Sequence, residues 1–149
     1  MSTDTARAAE VFSLRTPYLS EGRTDTTLVQ TDQLTVRIKV YAEGGENALH
    51  THAQEDHVFV VLEGEATFHD AEGRSTVVGP NSGILLPAGA YYRFESSGDR
   101  NLVLLRAGSG KPQGTNDRRG PDGKELPGHS KENKRVPGVP IAGRFFGDG

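Results

Sequence analysis

Between Thr26 and Arg106 the sequence reads as short runs of strand-forming residues separated by turn residues, with little sign of the 3.6-residue apolar period of a helix. The clearest run is Leu34-Thr35-Val36-Arg37-Ile38-Lys39-Val40-Tyr41, where apolar residues alternate with polar or amphipathic ones, as a half-buried strand demands. Glu43-Gly44-Gly45-Glu46 breaks it. His57 to Leu62 is apolar on both faces, which suits a strand in the middle of a two-layer sandwich or at a subunit contact. Glu63-Gly64-Glu65 is a tight turn, and Ala66–Asp70 and Ser75–Val78 flank the hairpin loop Ala71-Glu72-Gly73-Arg74. After the turn at Gly79–Gly83, Ile84–Leu86, Tyr91–Phe94 and Leu102–Leu105 complete a set of strands at roughly 8–12-residue spacing. That rhythm predicts an all-β sandwich or barrel.

With 149 residues, 34% of them hydrophobic, the chain can bury one core. Three regions follow from composition: an N-terminal arm over 1–24, a barrel over 25–107 and a tail over 108–149. The tail holds ten of the nineteen glycines and five of the eight prolines, and cannot form a core of its own. It is either disordered or pinned by Val139-Pro140-Ile141 and Phe145-Phe146 to the barrel or to a neighbouring subunit. It carries eight Lys/Arg against five Asp/Glu, while the whole chain is at −3, so it could lie on an acidic body. The arm has no apolar run that would make a signal peptide or an anchor, and the expectation is a cytoplasmic protein without a membrane partner. The absence of cysteine excludes disulfides, thiolate metal sites and cysteine nucleophiles. The acidic balance argues against nucleic acid as a partner.

Five histidines occur, and His50, His52 and His57 fall within eight residues. On a strand His50 and His52 share a face. A turn through Ala53-Gln54-Glu55-Asp56 would return His57 beside them, giving three nitrogen donors on one side of an ion and open positions opposite. The alternatives are solvated side chains, or histidine and tyrosine acting as acid and base without metal. His69 and His129 each stand alone and carry no such expectation.

Gly45-Glu-Asn-Ala-Leu-His50-Thr-His52-Ala-Gln-Glu-Asp-His57-Val-Phe-Val-Val-Leu-Glu-Gly64 resembles the first motif of the cupin superfamily: a glycine, HxH, a glutamate and a closing glycine. Pro87-Ala-Gly89-Ala-Tyr-Tyr92-Arg-Phe resembles the second, looser motif. The resemblance covers roughly Gln33 to Leu105 and implies a single cupin jelly-roll β-barrel. Two of the usual four ligands differ, since His57 stands at the glutamate position and Tyr92 at that of the last histidine. An all-nitrogen set favours borderline ions, so the expected cofactor is a divalent transition metal, Fe(II) first, with Zn, Ni or Mn as alternatives. Tyr92 could ligate as phenolate, hydrogen-bond a bound water or substrate, or fill the barrel; an ordinary pKa near 10 favours hydrogen bonding or proton donation. Glu55 or Asp56 could supply an oxygen if the turn shifts by one residue.

Tyr41, Phe59 and Phe94 could line a substrate pocket, though aromatic residues of a small barrel are core by default. Arg37, Lys39 and Arg93 could hold an anionic group or simply cover solvated strand faces. No phosphate-binding loop or serine nucleophile setting is present.

The resemblance implies a metal-dependent enzyme acting on a small organic molecule, with a three-histidine Fe(II)-type dioxygenase as the leading expectation and Tyr92 as the catalytic side chain. The alternatives are a redox-silent isomerase, lyase or cyclase using metal or Tyr92 as acid/base, and a non-catalytic small-molecule binding module. A homodimer is expected through the doubly apolar strand at His57–Leu62. Two fates remain open for the tail: closing over the barrel mouth with Phe145 and Phe146 as a lid, or swapping onto a partner.

Overall fold

The computed structural model describes residues 8–109, 118–124 and 137–148, Asn47 by its backbone alone. Strands are the only regular elements among them. In chain order they are β1 Thr16–Glu21, β2 Arg23–Gln30, β3 Leu34–Tyr41, β4 Gly45–His52, β5 Asp56–Glu63, β6 Ala66–His69, β7 Ser75–Val78, β8 Ser82–Leu86, β9 Tyr92–Ser96, β10 Leu102–Ser109, β11 Arg118–Arg119 and β12 Val139–Phe146. No helix is long and apolar enough to cross a membrane, among the described residues.

Two five-stranded sheets, ordered β2-β3-β10-β5-β8 and β11-β4-β9-β6-β7, face each other, and β1 pairs with β12 in a third, two-stranded sheet. From β3 to β4, β4 to β5 and β5 to β6 the chain changes sheet at each step, so its main pairings are non-local: β10 lies between β3 and β5, antiparallel to both. This is a jelly roll. The β6–β7 hairpin forms across Asp70–Arg74, as its turn residues predict. Gly64 closes the β5–β6 turn at φ +83°, and a Cβ there would stand 2.5 Å from the Asn101 carbonyl oxygen, so only glycine fits.

The space between the sheets is filled by Tyr41, Phe59, Val61, Phe68, Phe94, Leu102 and Leu104. Phe68 and Phe94 stack at 5.0 Å between ring centroids, and Tyr41 meets Phe94 edge-on at 5.3 Å. A second core lies on the outer face of the first sheet, where Ile38, Val40 and Val103 pack with Leu19, and Tyr18 and Phe146 lean on them. The alternation of β3 therefore has a different meaning from a half-solvated strand. Its apolar phase, Val36, Ile38 and Val40, faces outward beneath β1 and β12, while Lys39 and Tyr41 face the barrel interior, so both sides are buried.

Of disorder and docking, the structure has docking for Val139–Phe146, which pair with β1. Residues 16–24 of the expected arm are largely strand. Phe145 lies under the Arg15 guanidinium, 3.6 Å from its ring centroid, and Phe146 joins the outer core. Neither sits at the barrel mouth, which overturns the lid: their apolar surface is used on the back of the sheet. His129 lies outside the described residues.

Opposite Leu19 in the β1–β12 pair stands Pro140, which has no N–H to give. Asn101 compensates, its Oδ1 accepting from Leu19 N at 2.7 Å and its Nδ2 donating to Leu19 O at 3.0 Å. Asn101→Ala leaves both groups unpaired beside a buried side chain. It is expected to lower the unfolding free energy by about 2 kcal/mol, measured as a lower urea midpoint at unchanged slope.

Candidate functional site

Because side chains repeat every two residues along a strand, His50 and His52 of β4 project to one side, and β5 enters the facing sheet with His57 directed inward. Tyr92 of β9 is paired directly across from His50. The rings gather: His50 and His52 centroids are 5.3 Å apart, His52 and His57 4.1 Å, and His50 and Tyr92 4.4 Å. His50, His57 and Tyr92 are buried and His52 is half-buried. Phe59, fully buried 6.0 Å from Tyr92 and 6.3 Å from His57, is the apolar floor beneath them. Phe94 and Tyr41 lie in the same aromatic core behind Phe59.

Each buried histidine has one nitrogen held and one without a partner. His50 Nδ1–H donates to the Ala48 carbonyl at 2.7 Å, which fixes the tautomer and leaves the Nε2 lone pair buried with no hydrogen-bond partner. His57 is turned so that Nε2 meets the Glu55 carboxylate and the Arg106 guanidinium, while Nδ1 is buried without a partner. Glu55 Oε1 also accepts from Arg106 Nη2 at 2.7 Å. With Nε2–H donating to Glu55, Nδ1 carries a lone pair. Gly108 makes room for this arrangement, since a Cβ there would stand 2.5 Å from Glu55 Oε1.

Nitrogen donors with held tautomers and a carboxylate behind one imidazole are the chemistry that a borderline divalent ion requires. Among the described residues, however, no three His, Cys, Asp or Glu side chains form a ready cage for an ion. The histidine rings are gathered, with His57 Nε2 engaged by Glu55 and Arg106 and Nδ1 the nitrogen left over. Of the two possible oxygen donors, Glu55 is buried in the site and committed to Arg106, whereas Asp56 is exposed and accepts from Ala88 N at 2.8 Å. His69 lies elsewhere, held by Glu95 and Ser75.

Charge surrounds the cluster. Lys39 Nζ donates to Glu46 Oε2 at 3.0 Å inside the barrel, 5.8 Å from the Phe59 ring centroid. Glu46 Oε1 lies 3.6 Å from His50 Nε2 and 3.5 Å from Arg118 Nη1. Burial alone would raise the Glu46 carboxyl pKa, but Lys39, His50 and Arg118 hold it well below the usual carboxylate range. Burial also raises the Tyr92 phenol well above its ordinary value, so it stays protonated. Arg37, expected as a pocket residue, pairs with Asp25 at 3.0 Å and is part-exposed; Arg93 faces Glu95 at 3.4 Å.

Sequence reasoning missed Glu46, Arg106 and Arg118 as site residues. Glu46 stands two periods before His50, and Arg106 continues the inward phase of Leu102 and Leu104, so both had a periodic signal. Arg118 had none.

Burial pushes the His50 imidazole down to about 4, against the pull of Glu46. The unfolded chain takes up this proton near pH 6.5, and the folded chain only near 4. The contribution to stability is therefore whole above pH 6.5 and is lost as pH falls towards 4, by roughly 3 kcal/mol. Thermal unfolding of metal-free protein across pH 7 to 4 should show the midpoint falling in that window, with a shallower fall in His50→Gln.

The cupin domain family profile matches residues 37–107. No curated protein matches the sequence. Among solved structures, an uncharacterised double-stranded β-helix protein of Klebsiella pneumoniae is 20% identical with a TM-score of 0.59, covering 69% of this chain and 91% of its own. TT1209 of Thermus thermophilus is 22% identical with a TM-score of 0.57, covering 65% and 91%. A cupin superfamily protein of Desulfitobacterium hafniense is 18% identical with a TM-score of 0.51, covering 60% and 78%. At these identities the likeness is one of fold, and it agrees with the two facing sheets: residues 37–107 match the cupin domain family and fold as a jelly roll, extended at both ends.

Proposed function

We propose that this cupin is a metal-dependent enzyme acting on a small organic molecule, with His50, His52 and His57 holding a divalent transition metal. The observation that carries the reading is the pair of buried imidazole nitrogens, His50 Nε2 and His57 Nδ1, without hydrogen-bond partners on rings that each lie against His52. Leaving a buried acceptor unpaired costs about 1–3 kcal/mol, and a bound cation would offset that cost at both nitrogens. An all-nitrogen donor set supports Fe(II) first, with Zn, Ni or Mn as alternatives.

Such an ion would supply dioxygen chemistry as Fe(II), or polarise a carbonyl as Zn, Ni or Mn. The chain's own residues do the rest. Glu55, buttressed by Arg106, keeps the His57 imidazole oriented. The Phe59 ring excludes water from below. Tyr92, protonated at its phenolic oxygen, orients the substrate and can give up that proton during turnover. The leading assignment is a three-histidine Fe(II)-type dioxygenase.

A second reading is a redox-silent isomerase, lyase or cyclase. It is favoured by one specific arrangement, the buried neutral acid Tyr92 beside the neutral base His50, which can exchange a proton with substrate without an ion. A binding module would show saturable ligand binding without product. We place the protein in the cytoplasm, where a cysteine-free chain needs no oxidising compartment.

Elemental analysis of tag-free protein beside His57→Ala is the first test. Near-stoichiometric iron, zinc, nickel or manganese, reduced at least tenfold in the variant, is expected, with oxygen uptake then separating oxygenase from redox-silent chemistry. A folded but metal-free wild type would sink the metal reading and favour Tyr92 acid/base chemistry.

We further propose a homodimer. Val58 and Leu85 are paired across β5 and β8 on the outer face, 37% and 62% exposed, outside the cover of β1 and β12. Light scattering should give twice the chain mass for wild type and a monomer for the folded Val58→Glu/Leu85→Glu protein.

A further inference from the structure

The arm that precedes β1 starts from a fixed root and then leaves the body. Arg15 pairs with Asp148 at 2.8 Å and lies over the Phe145 ring, and its backbone N donates to Ser13 Oγ at 3.0 Å. Leu14 still leans on the outer core beneath β1 and β12. Beyond it the chain projects away, so that Val11 is 99% exposed and Phe12 43%. Residues 8–13 belong to no strand, and Glu10 is the one charge among them.

A matching surface is bare on the outer face of the first sheet. Strand register lines up Val36, Ala107, Val58 and Leu85 in one row across β3, β10, β5 and β8. Residues opposite one another on neighbouring strands share a face. Exposure climbs along this row, from 8% at Val36 to 37% at Val58 and 62% at Leu85, because the cover of β1 and β12 is spent on Ile38, Val40 and Val103. The next row adds half-buried Leu105 and Val60, and neither row carries a charge. Crossing from β3 to β8 takes about 14 Å at the usual strand spacing, and six extended residues reach about 20 Å.

We propose that the arm is exchanged between two copies of this chain: residues 8–13 of each lie on the Val58–Leu85 face of the other, with Val11 and Phe12 as the anchors. This rests on the reading of that face as a dimer contact, and it names what covers it. Within one chain the arm stays off the bare row although the row is free, as expected of a segment whose place is on a neighbour. The Val58–Leu85 patch alone is small beside the roughly 800 Å² per partner of a stable interface, and two exchanged arms enlarge it on both sides of the two-fold axis. The arm is already extended and solvated before it docks, so exchange breaks no contact of Val11.

The test uses the full-length chain, which has no cysteine of its own. Val11→Cys/Leu85→Cys protein is treated with a short bis-maleimide, beside each single variant. The expected product is a covalent dimer whose digest contains a peptide joining positions 11 and 85, with little covalent dimer from either single variant. Joining of 11 to 85 at monomer mass, or a dimer without that peptide, overturns the exchange. Sedimentation of Val11→Glu/Phe12→Glu protein gives the second readout, and both positions are exposed enough for the variant to fold, as circular dichroism checks. Its dimer dissociation constant should rise at least tenfold over wild type. A variant that dimerises as tightly as wild type overturns the exchange and leaves the Val58–Leu85 dimer standing, whereas a monomeric wild type overturns both.

Discussion

The buried ion pair of Lys39 with Glu46 is the constraint around which the rest of this molecule is arranged. It places a cation and a carboxylate inside a β-barrel, where each would be costly alone and where both are tolerated because they meet at 3.0 Å. Since side chains alternate along β3, turning Lys39 and Tyr41 inward forces Ile38 and Val40 outward. Those apolar residues then need a cover, and the chain provides it with β1 and β12, brought together from opposite ends of the sequence. The extensions and the polar interior are thus two consequences of one strand's phase.

The same logic separates the barrel into two zones. Phe59, Phe68, Phe94 and Tyr41 form a dry aromatic body, while His50, His57, Glu46, Glu55, Lys39 and Arg106 occupy a polar chamber next to it. Burial there strips water from any charged form, which disfavours ionisation of a group without a strong opposite charge. That is why the imidazoles stay neutral and the Tyr92 phenol stays protonated, a combination that suits both metal ligation and proton transfer. Glu55 has a special place in it: its carboxylate organises His57 and is itself held by Arg106, so ring orientation depends on residues that β10 supplies from across the strand.

Much of this could be read in advance. The two-residue period of Leu34–Tyr41, the turn residues of Ala71–Arg74 and the apolar run from His57 to Leu62 gave the right strands, because local backbone preference and burial agree there. His50, His52 and His57 were recognisable as a group by spacing, and Tyr92 by its position after Pro87 and Gly89. Less legible was what the polar phase of β3 does. Arg37 and Lys39 look like solvated residues on a strand that has one buried face, and only the outer cover reveals that both faces are used.

The all-β class, most strand positions and the residue types available for chemistry follow from the order of residues alone, since these depend on period, turn propensity and side-chain identity, all of them local properties. Tertiary structure decided which face of each strand is the interior, how the two unpaired imidazole nitrogens are left, and that Arg118 arrives beside His52 while Phe146 goes to the back of the sheet. These outcomes depend on pairings between residues far apart in the chain. A long Gly- and Pro-rich connection can reach many partners at little extra entropic cost, so its composition alone does not say where it docks.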